Sequence, residues 1–352
     1  MNKELSLSWN ILPNVSRSFA LAIKVLPHPL SQQMMVSYLI YRVIDTIEDS
    51  SAPVSIKKQL FDQFIDSLEM KKFDEEKISS CKTEMLALLD YTYEKELLEN
   101  LPAVAKVYYG EPKKVRESIL RWGRVMASGM YEFQTKSIRT FKDQDRYSYY
   151  VAGVVGYLFN DLLYYNNIIT PRTRRKLHTY AKKFGLALQK VNILRDVSSD
   201  IPSRRYYWPR EIMQRYGLDY DTLLKEENRA MAMSVLNEEI DNALEYLYSG
   251  MHYIISLPTN AIKVRMFCLI PLFMAIESYV KCIDNKDVFD MGKKVKINRM
   301  QVHEIVAKCA LWGASNEKLV GWFLQTMQKA DSNLGRNARA RALMLQMQAE
   351  RR

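Results

Sequence analysis

Apolar residues recur at helical spacing through most of the 352-residue chain, in stretches separated by Pro27 and Pro29, Pro102 and Pro112, Pro171, Pro202 and Pro209, and Pro258. The intervals predict about eight or more long helices and an all-α fold. Only 12 glycines are present, which disfavours strands joined by glycine turns. No low-complexity tract, repeat period or Gly/Ser/Pro linker interrupts the pattern, so a single domain over residues 1–352 is expected, with 335–352 forming a basic tail or helix.

Two of the predicted helices carry polar stripes among apolar flanks. In SYLIYRVIDTIEDS, Tyr38, Arg42, Asp45 and Asp49 follow one another at offsets of 4, 3 and 4, so they share a helix face, and Glu48 adds a third acid to the same turn. In QKVNILRDVSSD, the stripe is Gln189, Asn192, Asp196 and Asp200. Leu39, Ile40, Val43, Ile44 and Ile47 flank the first stripe, and Leu186, Leu188, Val191, Ile193 and Leu194 flank the second, so both helices should be buried on most sides. Buried carboxylates are costly unless paired or metal-bound. Facing helices with such acids would repel unless cations lay between them, and clustered carboxylate oxygens suit Mg²⁺ bridging to phosphate. A diphosphate site is one reading, with Arg42, Arg195 and Arg205 close by in sequence; two independent surface acid pairs are the plainer one.

Charge adds less. Lys and Arg number 51 against 40 Asp and Glu, a formal charge of +11, which suits nucleic acid, anionic lipid or a small anionic substrate alike. The four cysteines (Cys81, Cys268, Cys282, Cys309) lie too far apart in sequence for a zinc or redox motif and read as reduced thiols of a cytosolic protein. The longest apolar run, Met266 to Ile276, contains Pro271 and falls short of the roughly 20 residues of a membrane span. The N-terminal segment lacks the apolar stretch of a signal peptide. His28, His178, His252 and His303 occupy no metal or triad spacing.

Further motifs join these stripes. SRSF (Ser16, Arg17, Ser18, Phe19), YLIYRVIDTIED, YYVAGVVG (Tyr149 to Gly156), NILRD with Asp200, and RYYWP (Arg205 to Pro209) occur in an order and spacing that resemble the squalene and phytoene synthases. Within that family, DTIED, YVAG, FCLIP (Phe267 to Pro271) and VFDMGKKVKINR (Val288 to Arg299) are more similar to the squalene synthase branch.

The resemblance implies an all-α isoprenoid synthase fold around a central cavity and a head-to-head condensation of two farnesyl diphosphates through presqualene diphosphate, followed by reduction with NADPH. It implies Mg²⁺, or Mn²⁺ in its place, on Asp45, Glu48, Asp49, Asn192, Asp196 and Asp200. Substrate binding falls to Ser16, Arg17, Ser18, Phe19, Tyr38, Arg42, Gln189, Asn192, Arg195 and Arg205. Tyr150 would assist proton removal, and Phe267 with Phe19 would favour allylic cations. Lys296 and Arg299 would bind cofactor phosphate. Two positions depart from the pattern: Asn298 stands where human-type squalene synthases carry arginine, and Ser199 replaces a glutamate beside Asp200. A non-reducing relative making presqualene diphosphate, dehydrosqualene or phytoene is the alternative. From another class, a non-catalytic basic helical protein that binds nucleic acid or membrane would explain the charge but leave the acid stripes unexplained. Neither nucleic acid nor an obligate protein partner is expected. A water-insoluble C30 product suggests peripheral contact with the cytoplasmic face of a membrane, without a transmembrane anchor.

Overall fold

The computed structural model describes residues 3–88 and 94–328, with Arg17 described by its backbone alone. The tail predicted at 335–352 lies outside the described residues. The chain is all-α, as its periodicity predicts: α1 (Lys3–Val15), α2 (Arg17–Val25), α3 (Leu30–Asp49), α4 (Val54–Leu68), α5 (Glu75–Leu88), α6 (Lys95–Glu99), α7 (Leu101–Gly110) and α8 (Lys113–Phe133) come first. They are followed by α9 (Phe141–Ser148), a π-helical turn (Tyr149–Gly153), α10 (Val154–Tyr165), α11 (Pro171–Asp200), α12 (Arg210–Arg215), α13 (Arg229–Ile255), α14 (Ile262–Cys282), α15 (Arg299–Trp312) and α16 (Asn316–Gln328). The chain divides into two compact units, one of residues 1–136 with 157–174, the other of 137–156 with 175–352.

The first unit is built around α3. Pro29 precedes its first turn and Ser50 leaves it in extended conformation. Val36, Leu39, Ile40, Val43, Ile44 and Ile47 are fully buried, each supplying roughly 1.5–3 kcal/mol of burial. α1, α2, α4, α7 and α8 pack around it. The buried Asp161 of α10 accepts from Ser118 Oγ (2.7 Å), Arg121 (2.5 Å) and Trp122 (2.9 Å) of α8, and from Arg174 (2.6 Å). Burial alone would raise its pKa, but these donors outweigh it and the pKa is lowered.

In the second unit, α14 runs through Pro271 without ending. The fully buried Arg265 of α14 donates to the carbonyls of Ile254 (3.2 Å), Leu257 (2.9 Å) and Gly313 (2.6 Å) and to Asn316 Oδ1 (2.5 Å). It thereby bonds carbonyls at and just beyond the C-terminal ends of α13 and α15. Burial pushes the Arg265 pKa down to about 10. All four cysteines are buried free thiols. No described helix is long and apolar enough to cross a membrane.

Candidate active site

In the first unit, Ser16 ends α1 and caps α2, its Oγ accepting from Phe19 N at 3.3 Å. The Tyr38 ring lies 5.6 Å from that of Phe19. Burial raises the Tyr38 phenol, and the Ser16 hydroxyl opposes the rise. One turn along α3, Arg42 pairs with Asp45 at 3.5 Å and with Glu94, a partner that sequence reading missed. Ser16, Phe19, Tyr38, Arg42 and Asp45 are thus gathered in one place. Ser18 is exposed on α2, and Asp49 is exposed at the end of α3, whereas Glu48 is partly buried.

The expectation of a buried acid stripe holds only in part. Asp45 keeps a third of its side chain open. Even so, the protein packed around it desolvates the carboxyl and pushes its pKa up to about 7, with Arg42 opposing and Asp49 and Glu94 adding to the rise. Lys57 donates to the Glu48 carbonyl (2.6 Å) and to Gln134 (2.8 Å), tying the end of α3 to α4 and α8.

In the second unit, two close approaches seat α11. A Cβ on Gly156 would stand 2.0 Å from Ala181 O, and one on Gly185 would stand 2.3 Å from Ala152 O. Only glycine permits backbones this near. The segment Tyr149–Gly153 is π-helical, a local widening common at functional sites. Tyr150 is partly buried, and its hydroxyl accepts from Arg146 Nε at 3.3 Å. Tyr147, one turn earlier, is the tyrosine of this segment that the fold buries, its ring stacked 4.8 Å from that of Tyr207.

The second acid stripe also lies nearer the surface than expected, because Asn192 is exposed and Asp196 retains 39% of its side-chain exposure. Its charges are matched. Arg195 grips Asp196 through Nε at 2.7 Å and through Nη2, which raises the guanidinium pKa although burial opposes. Arg205 holds Asp200 at 3.2 Å and bonds its carbonyl through the backbone at 2.9 Å. Trp208 Nε1 donates to Ile193 O at 3.1 Å, so the segment after α11 folds back on it. Gln189 is partly buried on α11.

Sequence reading missed the group behind this stripe. Lys190 is buried (2% exposed), pairs with Asp145 at 2.5 Å, donates to Gln144 Oε1 at 2.7 Å and reaches Asn242. A signal existed, since Lys190 stands four residues from both Leu186 and Leu194, on the apolar side of the helix. Gln144 Nε2 in turn donates to Glu239 (2.9 and 3.1 Å) and to Tyr207 O (3.1 Å). Burial raises the Glu239 pKa to about 7, against Lys190 and Gln144, which lower it.

Farther along the same unit, Phe267 and Cys268 are buried in α14, and burial pushes the Cys268 thiol upward. Lys296 and Arg299 are exposed on a segment pinned by Lys281, whose Nζ donates to Lys296 O (3.0 Å) and Gln301 Oε1 (2.8 Å). Asn298 caps α15: its Oδ1 accepts from Gln301 N at 2.9 Å while Gln301 Oε1 accepts from Asn298 N. The departure from arginine therefore has a local structural use, because arginine has no acceptor with which to make this cap.

Among the described residues no three His, Cys, Asp or Glu side chains converge as a ready metal cage. Mg²⁺ does not need one, because it binds through one or two carboxylates plus substrate phosphates. The donors at Asp45 and Asp49 are hard oxygens, and the desolvated Asp45 carboxyl sits beside further negative charge, a combination that a divalent cation relieves.

The profile of the family named Squalene/phytoene synthase matches residues 12–301. A squalene synthase of Nicotiana benthamiana is 33% identical over 285 residues, covering 80% of this chain and 65% of that protein. The human squalene synthase is 30% identical over 305 residues, covering 84% and 68%. The chain thus spans about two thirds of the length of these curated relatives. Among solved structures, TcSQS in complex with the ligand BPH1237 is 28% identical with a TM-score of 0.85, covering 99% of both chains. A dehydrosqualene synthase, 20% identical with a TM-score of 0.59, shares the fold. With the motifs in place on an all-α frame and the profile matched over most of its length, the chain belongs to the squalene/phytoene synthase family.

Proposed function

We propose that the protein is a Mg²⁺-dependent squalene synthase that condenses two farnesyl diphosphates to presqualene diphosphate and reduces this to squalene with NADPH. The observation that carries the reading is the pairing of acid motifs with arginines: Arg42 at Asp45, Arg195 on Asp196 and Arg205 on Asp200. A diphosphate with its cations needs both signs of charge, and such pairs can exchange partners with it. The squalene synthases among its relatives, and TcSQS matched along 99% of the chain, support the same reading.

Asp45, Asp49, Asp196 and Asp200, with Glu48 and Asn192, are the proposed metal ligands, and Lys296 and Arg299 the proposed anchors for cofactor phosphate. Bound there, Mg²⁺ supplies Lewis-acid stabilisation of the departing diphosphate and NADPH supplies a hydride. Arg42, Arg195 and Arg205 hold diphosphate oxygens by charge-assisted bonds, and Ser16 adds a neutral one. Tyr38 and Phe19, in contact with each other, place aromatic surface beside Arg42 and Asp45. Phe19 and Phe267 offer ring faces to allylic cations. Tyr150 takes up the proton released on cyclopropane closure and passes it to diphosphate. The hydrocarbon product is insoluble in water, so release into a membrane surface is part of the proposal.

The test is incubation of the purified protein with farnesyl diphosphate and Mg²⁺, with and without NADPH, followed by mass spectrometry of extracted lipids. Squalene formed only with NADPH is expected. Dehydrosqualene or presqualene diphosphate regardless of NADPH would place the protein in the non-reducing branch, and no turnover of this or a longer prenyl diphosphate would overturn the enzyme reading.

A further inference from the structure

Gln144 is held in one orientation by the charges at its two ends. The Lys190 ammonium can only donate, so it takes Oε1; the Glu239 carboxylate and the Tyr207 carbonyl act as acceptors, so they take Nε2. The amide thus turns a buried cation into a donor aimed at the backbone of the Arg205–Trp208 segment. Other anchors of that segment include Arg205 on Asp200, Trp208 Nε1 on Ile193 O, and Tyr220, which donates to Trp208 O at 2.6 Å. It also carries Tyr207, the ring on which Tyr147 stacks.

Lys190 is itself over-determined. It donates to Gln144 and Asn242 and is ion-paired with Asp145 Oδ1, and the rings of Phe141 (5.5 Å) and Tyr246 (5.1 Å) lie beneath its ammonium. Tyr246 donates to the second Asp145 oxygen at 2.6 Å, which fixes the carboxylate as well. A buried ion pair of this kind is weak evidence for stability, since well-packed apolar residues of similar volume serve as well or better. What it provides is a fixed geometry linking α9, α11 and α13 immediately behind the second acid motif.

We infer that Lys190 is a positioning residue which, through the Gln144 amide, sets the Arg205–Trp208 segment and the Tyr147–Tyr207 stack relative to Asp196 and Asp200. This rests on the proposed condensation of farnesyl diphosphate. Loss of the link leaves Arg205 and the acids present but misplaced, which lowers turnover more than substrate capture.

The experiment uses the full chain. Lys190→Met is combined with Asp145→Asn so that the Asp145 carboxylate is not left without its cation, and Gln144→Met is made separately as a variant that leaves the Lys190–Asp145 pair in place. Each is assayed with farnesyl diphosphate and Mg²⁺ beside the wild type, and folding is checked by circular dichroism and Tm. The expected result is a kcat lowered at least tenfold, with KM for farnesyl diphosphate within threefold, in both. The combined triple variant should lie within threefold of the weaker of the two, because they break one chain of contacts. If Tm falls while kcat per folded molecule is unchanged, or if the losses multiply in the triple variant, the inference is overturned. If Lys190→Met/Asp145→Asn does not fold, Gln144→Met alone decides between the same two outcomes. No turnover by the wild type would overturn the proposed function, and this inference with it, whereas a turning-over wild type beside unchanged variants overturns the inference alone.

Discussion

The two acid motifs look alike in sequence, yet the fold gives them opposite electrostatic states. On α3, Asp45 shares Arg42 with Glu94, while Lys57 faces Glu48 and Asp49. Around Asp45 two carboxylates thus share one guanidinium, and burial, with Asp49 and Glu94 adding to it, pushes the Asp45 pKa up to about 7. On α11, Asp196 and Asp200 each hold an arginine of their own. The first motif keeps an excess of carboxylate over guanidinium; in the second each carboxylate is matched by its own arginine. A pattern of spacing shows which acids share a face, but not what neutralises them.

The contrast can be broken first at the level of chemistry. Asp45→Asn and Asp196→Asn should each lower kcat/KM by on the order of 10³, as removal of a principal charge-stabilising group does, read from squalene formation with Mg²⁺ and NADPH. Equal and full activity in either variant would remove that motif from the site.

Next in size is packing. The second motif rides on a helix seated by glycine, so Gly185→Ala forces a Cβ to 2.3 Å from a backbone oxygen and should cost about 3 kcal/mol. Gly123→Ala in the first unit meets only the Tyr41 ring edge at 3.2 Å, which can shift, and should cost less than about 1 kcal/mol. Urea unfolding of both variants checks the difference.

A smaller effect lies in pH. The Glu239 pKa is raised to about 7 by burial, against the opposing influence of Lys190 and Gln144 and with Asp145 and Glu238 adding to the rise. The folded state therefore binds the proton more tightly than the unfolded chain does. Its contribution is fully present below the ordinary carboxylate range and is lost as pH rises through about 7. Glu239→Gln should flatten this slope and stabilise the protein at pH 8 relative to wild type by on the order of 2 kcal/mol. Tm measured from pH 4.5 to 8 reads it, and parallel curves for the two proteins would contradict it.

The subtlest test compares stability rather than activity. Asp45→Asn removes surplus charge and should stabilise the metal-free protein, whereas Asp196→Asn strips Arg195 of its partner and should destabilise it, each by about 0.5–1 kcal/mol at these partly exposed positions. The same sign for both would erase the electrostatic distinction.

Much of the fold was legible because helical periodicity and proline placement act locally: α3 and α11 lie where their apolar flanks put them. The clusters of Tyr38, Arg42 and Asp45, and of Asp196 and Asp200 with arginines, were readable for the same reason. Pro271, which did not figure among the punctuating prolines, lies inside α14, which stays intact and buried on most sides. Exposure of Asp49 and Asn192 was not legible, because it depends on where neighbouring elements stop.

The amino-acid sequence by itself determined the helices, the faces their acids share and the motifs that mark the family, since these follow from spacings of three and four residues. Only the tertiary structure decided that Glu94 competes for Arg42, that Lys190 spans α9, α11 and α13, and that Tyr147 rather than Tyr150 is enclosed. Those outcomes depend on contacts between residues about 50 positions apart, and the charge state of a carboxylate is set by what surrounds it in space, not along the chain.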